Sequence, residues 1–418
     1  MKLRDYQNDI KEKGLHILRN TKLLYLTMEV RTGKTLTSLA ICNELNVENV
    51  LFLTKKKAIS SIEHDWEMMC PANFNLFIIN YESMHKLPMI KWDAVICDEA
   101  HSMGAFAKPS KRARQVKDIM MVCQPYQILL SGTPTPESYS QMYHQVYGNV
   151  NNPFRNFRNF YAFAKVHVNV KQKKINSNYI NDYSDGRRSI LDAMKPFTIS
   201  YSQKQAGFKV VTKENVLKVQ MNPYTYKLAA RLSKQLVVEG RDEVILADTP
   251  VKLMTKLHQI YSGSVKFESG NSMVLDLSKA LFIKDRFKDQ KIGIFYKFKE
   301  ELNALKEVFG EDLVTDLSSF DDSEGKVIAL QIVSGREGIS LRKADALIYY
   351  NIDFSATSYW QSRDRMTTKE RMHNKIYWIF SAGGIEEKIY KVVIGKKDYT
   401  LNHFKKDLTT DFLINRTY

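Results

Sequence analysis

The sequence predicts an α/β protein of two tandem domains, each a mainly parallel sheet flanked by helices. Three observations predict it. Short apolar runs recur, each followed by polar residues and then helical sequence, which is the pattern of parallel strands covered on both faces. This rhythm occurs twice, once from Leu23 to Pro134 and again from Ser278 to Val393. A chain of 418 residues is too long for one ordinary core and suits two domains of roughly 200 residues.

In the first series, Asn8 to Leu18 carries Ile10, Leu15 and Leu18 at helical spacing. Leu23 to Leu26 is a strand run, followed by Met28 to Thr35 and an amphipathic run from Leu36 to Leu45. Asn49 to Thr54 is followed by Lys55-Lys56-Lys57, and Leu76 to Ile79 by Asn80-Tyr81-Glu82-Ser83. Ala94 to Cys97 is followed by Asp98-Glu99-Ala100-His101, and Gln127 to Leu130 by Ser131-Gly132-Thr133-Pro134. Parallel sheets bind ligands at the carboxyl ends of their strands, where each of these clusters falls.

The second series has strands at Ile292 to Phe295, Val327 to Gln331, Leu347 to Tyr350 and Ile376 to Phe380. Its helices are expected near Lys299 to Phe309, Ser355 to Arg371 and Ile385 to Val393, with a helical middle from Pro223 to His258. The expected division is residues 1–207, a linker and crossover over 208–277, and 278–418 ending in a basic extension.

Composition limits the function. The chain has 62 Lys and Arg against 46 Asp and Glu, a net charge of +16. That balance favours a polyanionic partner and fits a generally basic surface equally well. The four cysteines (Cys42, Cys70, Cys97, Cys123) form no Cys-x-x-Cys pair and are expected to be buried thiols in a reducing cytosol. Met1 to Gly14 lacks an apolar signal core, and no stretch approaches about 18 apolar residues, so a soluble cytoplasmic protein without a membrane partner is expected. From Asn149 to Gly207, Phe154, Phe157, Phe160 and Tyr161 alternate with basic residues. Bases could stack there, or the rings could pack inward beneath a solvated charged face.

Gly33-Lys34-Thr35 at a strand-to-helix junction is the chemical core of a phosphate loop. Backbone N–H groups and the helix start hold phosphate oxygens, Lys34 reaches the outer phosphates and Thr35 ligates magnesium. The full pattern asks for a glycine at position 28, where this chain has Met28. Asp98 and Glu99 supply what nucleotide hydrolysis also needs: Asp98 beside the metal, Glu99 to orient and deprotonate the attacking water.

With these residues in place, Asp98 to His101 resembles the DEAH box of superfamily-two helicases, and Ser131 to Pro134 resembles their third motif. The order of elements is similar to the Swi/Snf-type double-stranded DNA translocases, in a compact form such as bacteriophages encode. The resemblance runs from Leu3 to about Val393 and implies two RecA-like lobes using ATP and Mg2+. Leu3 to Gln7 resembles the opening Leu-Arg-x-Tyr-Gln motif, which implies that Arg4 and Gln7 serve the nucleotide, with Gln7 reading the adenine edge. Thr32, Gly33, Lys34, Thr35 and Gly338 are implied on the phosphates. His101, Ser131, Gly132 and Thr133 are implied to couple the ATP site to the nucleic-acid track. Lys56, Tyr81, Ser83, Ser334 and Arg336 are implied on DNA, since Asn80 to Ser83 resembles the Tyr-Glu motif and Ser334 to Leu341 resembles motif five.

Asp353 to Arg365 resembles the approach to motif six, with Gln361 and Arg365 at the expected spacing. The pattern's second arginine is replaced by Thr368. Arg365 is the expected finger on the γ-phosphate, and Lys369 and Arg371 are the candidates for the missing position. The implied partner is duplex DNA, with forked or single-stranded DNA left open. Separate replication or nuclease proteins are candidate partners, and a monomer is expected. Two alternatives stay open: a strand-separating DNA or RNA helicase, and an ATP-gated DNA-loading factor with vestigial hydrolysis.

Overall fold

The computed structural model describes residues 3–69, 72–175, 178–335, 340–355, 358–359, 362–368 and 371–395. The chain divides into two units between Phe208 and Lys209.

The first unit opens with helix α1 (Asp5–Thr21), whose buried Ile10, Leu15 and Leu18 pack on the sheet. Strand β1 (Leu23–Met28) leads to helix α2 (Lys34–Glu44). Strands β2 (Asn49–Thr54), β3 (Asn75–Asn80), β4 (Ala94–Cys97), β5 (Tyr126–Leu130) and β6 (Thr198–Tyr201) follow, with helix α3 (Lys111–Cys123) between β4 and β5. The sheet order is β3-β2-β4-β5-β1-β6 and every pairing is parallel. Leu24 and Leu26 face one core, while Leu23 and Tyr25 face the other. Burial on both faces is why these strands read as unbroken apolar runs.

The aromatic and basic segment after Asn149 packs inward. Phe154, Phe160 and Phe163 are buried in the second of these cores and ring the Tyr143 side chain, while Arg155 and Arg158 stay exposed. Phe154, Phe157 and Phe160 therefore serve the core, while Tyr161 is exposed. Cys42 and Cys97 are buried as expected; Cys123 is half-exposed, and Cys70 lies outside the described residues.

The second unit has strands β7 (Val211–Val219), β8 (Ile292–Tyr296), β9 (Leu313–Val314), β10 (Val327–Gln331), β11 (Ala346–Tyr349) and β12 (His373–Ser381). They form a second parallel sheet in the order β9-β10-β8-β11-β12-β7. Residues 209–277, expected to be a linker, belong to this unit. β7 is its edge strand, and helices α4 (Pro223–Gln235) and α5 (Pro250–Tyr261) bury Leu228, Leu232, Leu257 and Ile260 in its core. A hairpin, Val237–Glu239 with Val244–Leu246, separates those helices, so the middle is not helical throughout. Helices α6 (Lys299–Phe309) and α7 (Glu386–Val393) complete the described flanks used below. The helix expected to reach Arg371 stops sooner: a 3-10 turn, Arg363–Met366, gives way to β12 at His373. Among the described residues no helix is long and apolar enough to cross a membrane.

Candidate active site

The strand order of the first unit sets the carboxyl ends of β1, β5, β4 and β2 side by side, and the candidate residues sit on the turns that leave them. After β1 the chain turns through Arg31 (φ 65°) and Gly33 (φ 81°) before α2 begins at Lys34. At Gly33 a β-carbon would lie 2.2 Å from Gln7 Nε2, so this position must be glycine for Gln7 to lie against the loop. Gln7 is buried; its amide approaches the Gly33 carbonyl at 3.5 Å and its carbonyl oxygen accepts from the Arg4 N–H at 2.9 Å. The exposed Arg4 guanidinium donates to the Tyr6 hydroxyl, which donates to the Thr32 carbonyl at 3.1 Å. The Thr32 hydroxyl donates to the Glu29 carbonyl at 2.7 Å. Lys34 Nζ donates to the carbonyls of Met28, 2.9 Å, and Glu29, 3.3 Å.

Beyond β4, Asp98 is bonded from two sides. Its carboxylate accepts from the Thr54 hydroxyl at 2.8 Å, and its carbonyl accepts from the Tyr81 hydroxyl at 2.7 Å. Burial pushes the Asp98 carboxyl up to about 6, and the charge of Glu99 adds to the rise; Thr54 and Lys34 oppose it. Glu99 itself adopts left-handed backbone (φ 48°), which swings its carboxylate to within 3.2 Å of His101 Nδ1. The buried imidazole meets Ser131 Oγ at 2.9 Å. Ser131 Oγ also accepts from the Thr133 N–H at 3.1 Å, and the Ser131 N–H donates to the Leu26 carbonyl of β1 at 3.2 Å. A β-carbon on Gly132 would lie 3.4 Å from the Met28 carbonyl, so the turn after β5 runs beside the phosphate loop.

Among the described residues no three His, Cys, Asp or Glu side chains cluster as a metal site. The candidate cation donors are the Thr35 hydroxyl on the first turn of α2 and the Asp98 carboxylate. Hard oxygens of this kind fit magnesium, which usually keeps phosphate and water as its remaining ligands.

Tyr81, expected on DNA, is wholly buried beneath Asp98, with the Arg112 guanidinium over its ring at 5.3 Å. Its place is that of a support for the carboxylate turn. Ser83 is half-buried and Lys56 is exposed on the turn after β2.

In the second unit, Arg365 is 8% exposed and its carbonyl accepts from the Leu341 N–H at 2.9 Å. Arg371 is committed elsewhere: its guanidinium donates to the carbonyls of Arg342, Ala344, Asp345 and His373. It is therefore not a substitute for the arginine that Thr368 replaces. Ser334 falls in a short helix, Ile332–Gly335; Arg336, Gly338, Gln361 and Lys369 lie outside the described residues. Sequence reasoning missed Glu214 on β7. Its carboxylate accepts from Arg363 (3.0 Å), Tyr359 (2.9 Å), Trp378 (3.0 Å) and Tyr390 (3.2 Å), fixing the turn that carries Arg365. No local signal marks it, because its partners come from three distant segments.

Comparison with known proteins supplies a match to the SNF2-related domain over residues 49–266, just over half of the chain. A probable chromatin-remodeling complex ATPase chain of Oryza sativa subsp. japonica is 22% identical over 362 residues, covering 77% of this chain and 31% of that protein. The chromatin-remodeling ATPase INO80 of Aspergillus oryzae is 24% identical over 222 residues, covering 51% of this chain and 15% of that protein. The chain thus spans less than a third of the length of these curated relatives. Among solved structures, the Sulfolobus solfataricus SWI2/SNF2 ATPase core in complex with dsDNA aligns over 98% of this chain and 93% of its own, at 14% identity and a TM-score of 0.41. The ATP-dependent Type ISP restriction-modification enzyme LlaBIII bound to DNA aligns over 91% of this chain and 28% of its own, at 15% identity and a TM-score of 0.47. With the family model matched over just over half of its residues, and with two parallel-sheet units and a phosphate loop beside paired carboxylates, the chain belongs to the SNF2-related domain family.

Proposed function

We propose that the chain is a motor that couples ATP hydrolysis to movement along duplex DNA. The observation that carries this reading is the grouping of Lys34 after β1 and of Asp98 and Glu99 after β4 on either side of β5, whose turn meets the carboxylates through His101 and Ser131 and runs beside the phosphate loop. Lys34 turns from the Met28 and Glu29 carbonyls to the outer phosphates. Thr35 and Asp98 would hold Mg2+, which would offset phosphate charge. Water attacks the γ-phosphorus, its proton passes to Glu99, and the bond to the bridging oxygen breaks to release ADP. His101 holds the Glu99 carboxylate in place, and Arg365 is the second unit's candidate to neutralise charge on the transferred group. The net charge of +16 and the relatives' names, both chromatin-remodeling ATPases, support a DNA track.

The test is ATPase activity with duplex DNA, single-stranded DNA, forks and RNA, in the parent and in Glu99→Gln. Duplex stimulation that the substitution abolishes is expected; an unstimulated rate identifies a loading factor instead. Triplex displacement without fork unwinding separates a translocase from a strand-separating helicase. Lys56→Ala is expected to flatten the log-log salt slope of duplex binding by about 0.9, one phosphate contact.

A further inference from the structure

The phosphate loop lacks a glycine at Met28 and still places the non-glycine Arg31 at φ 65°. Such a conformation persists where the surroundings over-determine it. The determining groups lie outside the loop, on α1, at the end of β6 and on the segment that follows it. Gln203 Nε2 donates to the Val30 carbonyl at 2.9 Å, and the Gln203 N–H donates to the Glu29 carboxylate at 2.7 Å. The Glu29 N–H donates to the Tyr201 carbonyl at 2.9 Å. The Tyr201 ring stacks on Tyr6, 4.8 Å between centroids and 12° between planes, and the Tyr6 hydroxyl holds the Thr32 carbonyl.

Two kinds of donor therefore serve the loop. Lys34 holds the Met28 and Glu29 carbonyls, and it must leave them to meet a phosphate. Gln203 and Tyr6 hold the Val30 and Thr32 carbonyls with groups that phosphate does not need. Once Lys34 has moved, this outer brace keeps the carbonyls turned toward protein and the N–H groups available for phosphate.

We propose that Gln203 is a positioning residue of the ATP site, holding the phosphate loop in its binding turn in place of the missing glycine. The inference rests on the reading of this loop as the ATP site. Its effect falls on nucleotide affinity, because the brace acts alike on substrate and transition state.

The test is titration of a fluorescent ATP analogue in EDTA, beside steady-state ATPase with Mg2+ and duplex DNA. Gln203→Ala is expected to weaken the analogue and raise KM for ATP by about five- to tenfold, the range of one lost hydrogen bond, with kcat within about twofold. Gln203→Glu sets a carboxylate against the Val30 carbonyl and the Glu29 carboxylate. It should bind at least as weakly as the alanine variant near neutral pH and recover toward the parent, compared at each pH, as it protonates toward about pH 5. Variants that bind like the parent overturn the role of Gln203, as does a lower melting temperature with kcat reduced and KM unchanged. If Gln203→Ala fails to fold, the pH recovery of Gln203→Glu decides. A parent that binds no analogue overturns the ATP-site reading itself, a result distinct from equal binding by parent and variants.

Discussion

The imidazole of His101 stands 2.9 Å from the Ser131 hydroxyl, so the turn that carries the carboxylates is bonded to the turn after β5. The same nitrogen is 3.2 Å from Glu99. Replacing Ser131 by Ala removes the contact with His101 and the acceptor for the Thr133 N–H, and leaves Glu99 and His101 paired. Basal ATPase should stay within about twofold while stimulation by duplex DNA falls roughly fivefold, the equivalent of about 1 kcal/mol. Rates with and without DNA in parent and variant check this; equal losses in both would end the coupling role.

The parts of this site that were legible in the sequence are those made by contiguous residues. Gly33-Lys34-Thr35 and Asp98-Glu99 are read directly because strand ends and helix starts are local features. The apolar β1, β2, β4 and β5 are legible for the same reason, since burial on both faces leaves nothing polar to obscure them. Glu214 and Gln203 were not legible, because their roles arise from partners far along the chain. Tyr81 was misplaced because its motif resembles a DNA-contacting one, and only packing shows the ring beneath Asp98. Strand β7 was missed because Lys213, Glu214 and Lys218 interrupt its apolar run.

Asp98 links activity and stability to pH with opposite signs. Its pKa is raised to about 6 by burial first and by Glu99 second. The folded state therefore favours the neutral acid. That preference stabilises the fold fully below the ordinary aspartate range and is lost as pH rises through about 6. Asp98→Asn keeps the neutral shape, so in EDTA at about pH 7.5 it should stabilise the first unit by about 3 kcal/mol and raise its melting temperature by several degrees. ATP hydrolysis should be lost in the variant and should decline in the parent below about pH 6. Thermal unfolding and pH–rate profiles check both signs.

Arg365 and Arg371, both in the second unit, should separate cleanly. Arg371→Ala leaves four carbonyls without its guanidinium and is expected to destabilise the unit by about 2–3 kcal/mol. Its ATPase per folded molecule at room temperature should remain near that of the parent. Arg365→Ala should lower kcat about a thousandfold or more while an ATP analogue still binds. Melting curves beside ATPase rates distinguish the two, and the reverse pattern would reassign the finger.

Lys279 and Glu386 form an ion pair at 2.7 Å with both side chains fully buried. Removing one partner strands the other charge, so Lys279→Met or Glu386→Gln should cost about 3–5 kcal/mol. The pair of apolar replacements, Lys279→Met with Glu386→Leu, should recover most of that loss. Denaturant unfolding of the three variants tests it; additive losses in the double variant would contradict the prediction.

Strand β7 enters the second unit first, yet all nine of its residues pair with β12, near the other end of that unit. During synthesis β7 leaves the ribosome and waits roughly ten to thirty seconds, at ordinary elongation rates, before its partner is made. The sheet therefore cannot be finished by vectorial folding from the N-terminal side. Over that interval an unpaired edge is exposed to neighbouring nascent chains. The alternating charges that make β7 hard to recognise also protect the waiting strand, since Lys213, Glu214 and Lys218 disfavour association with a stranger's edge.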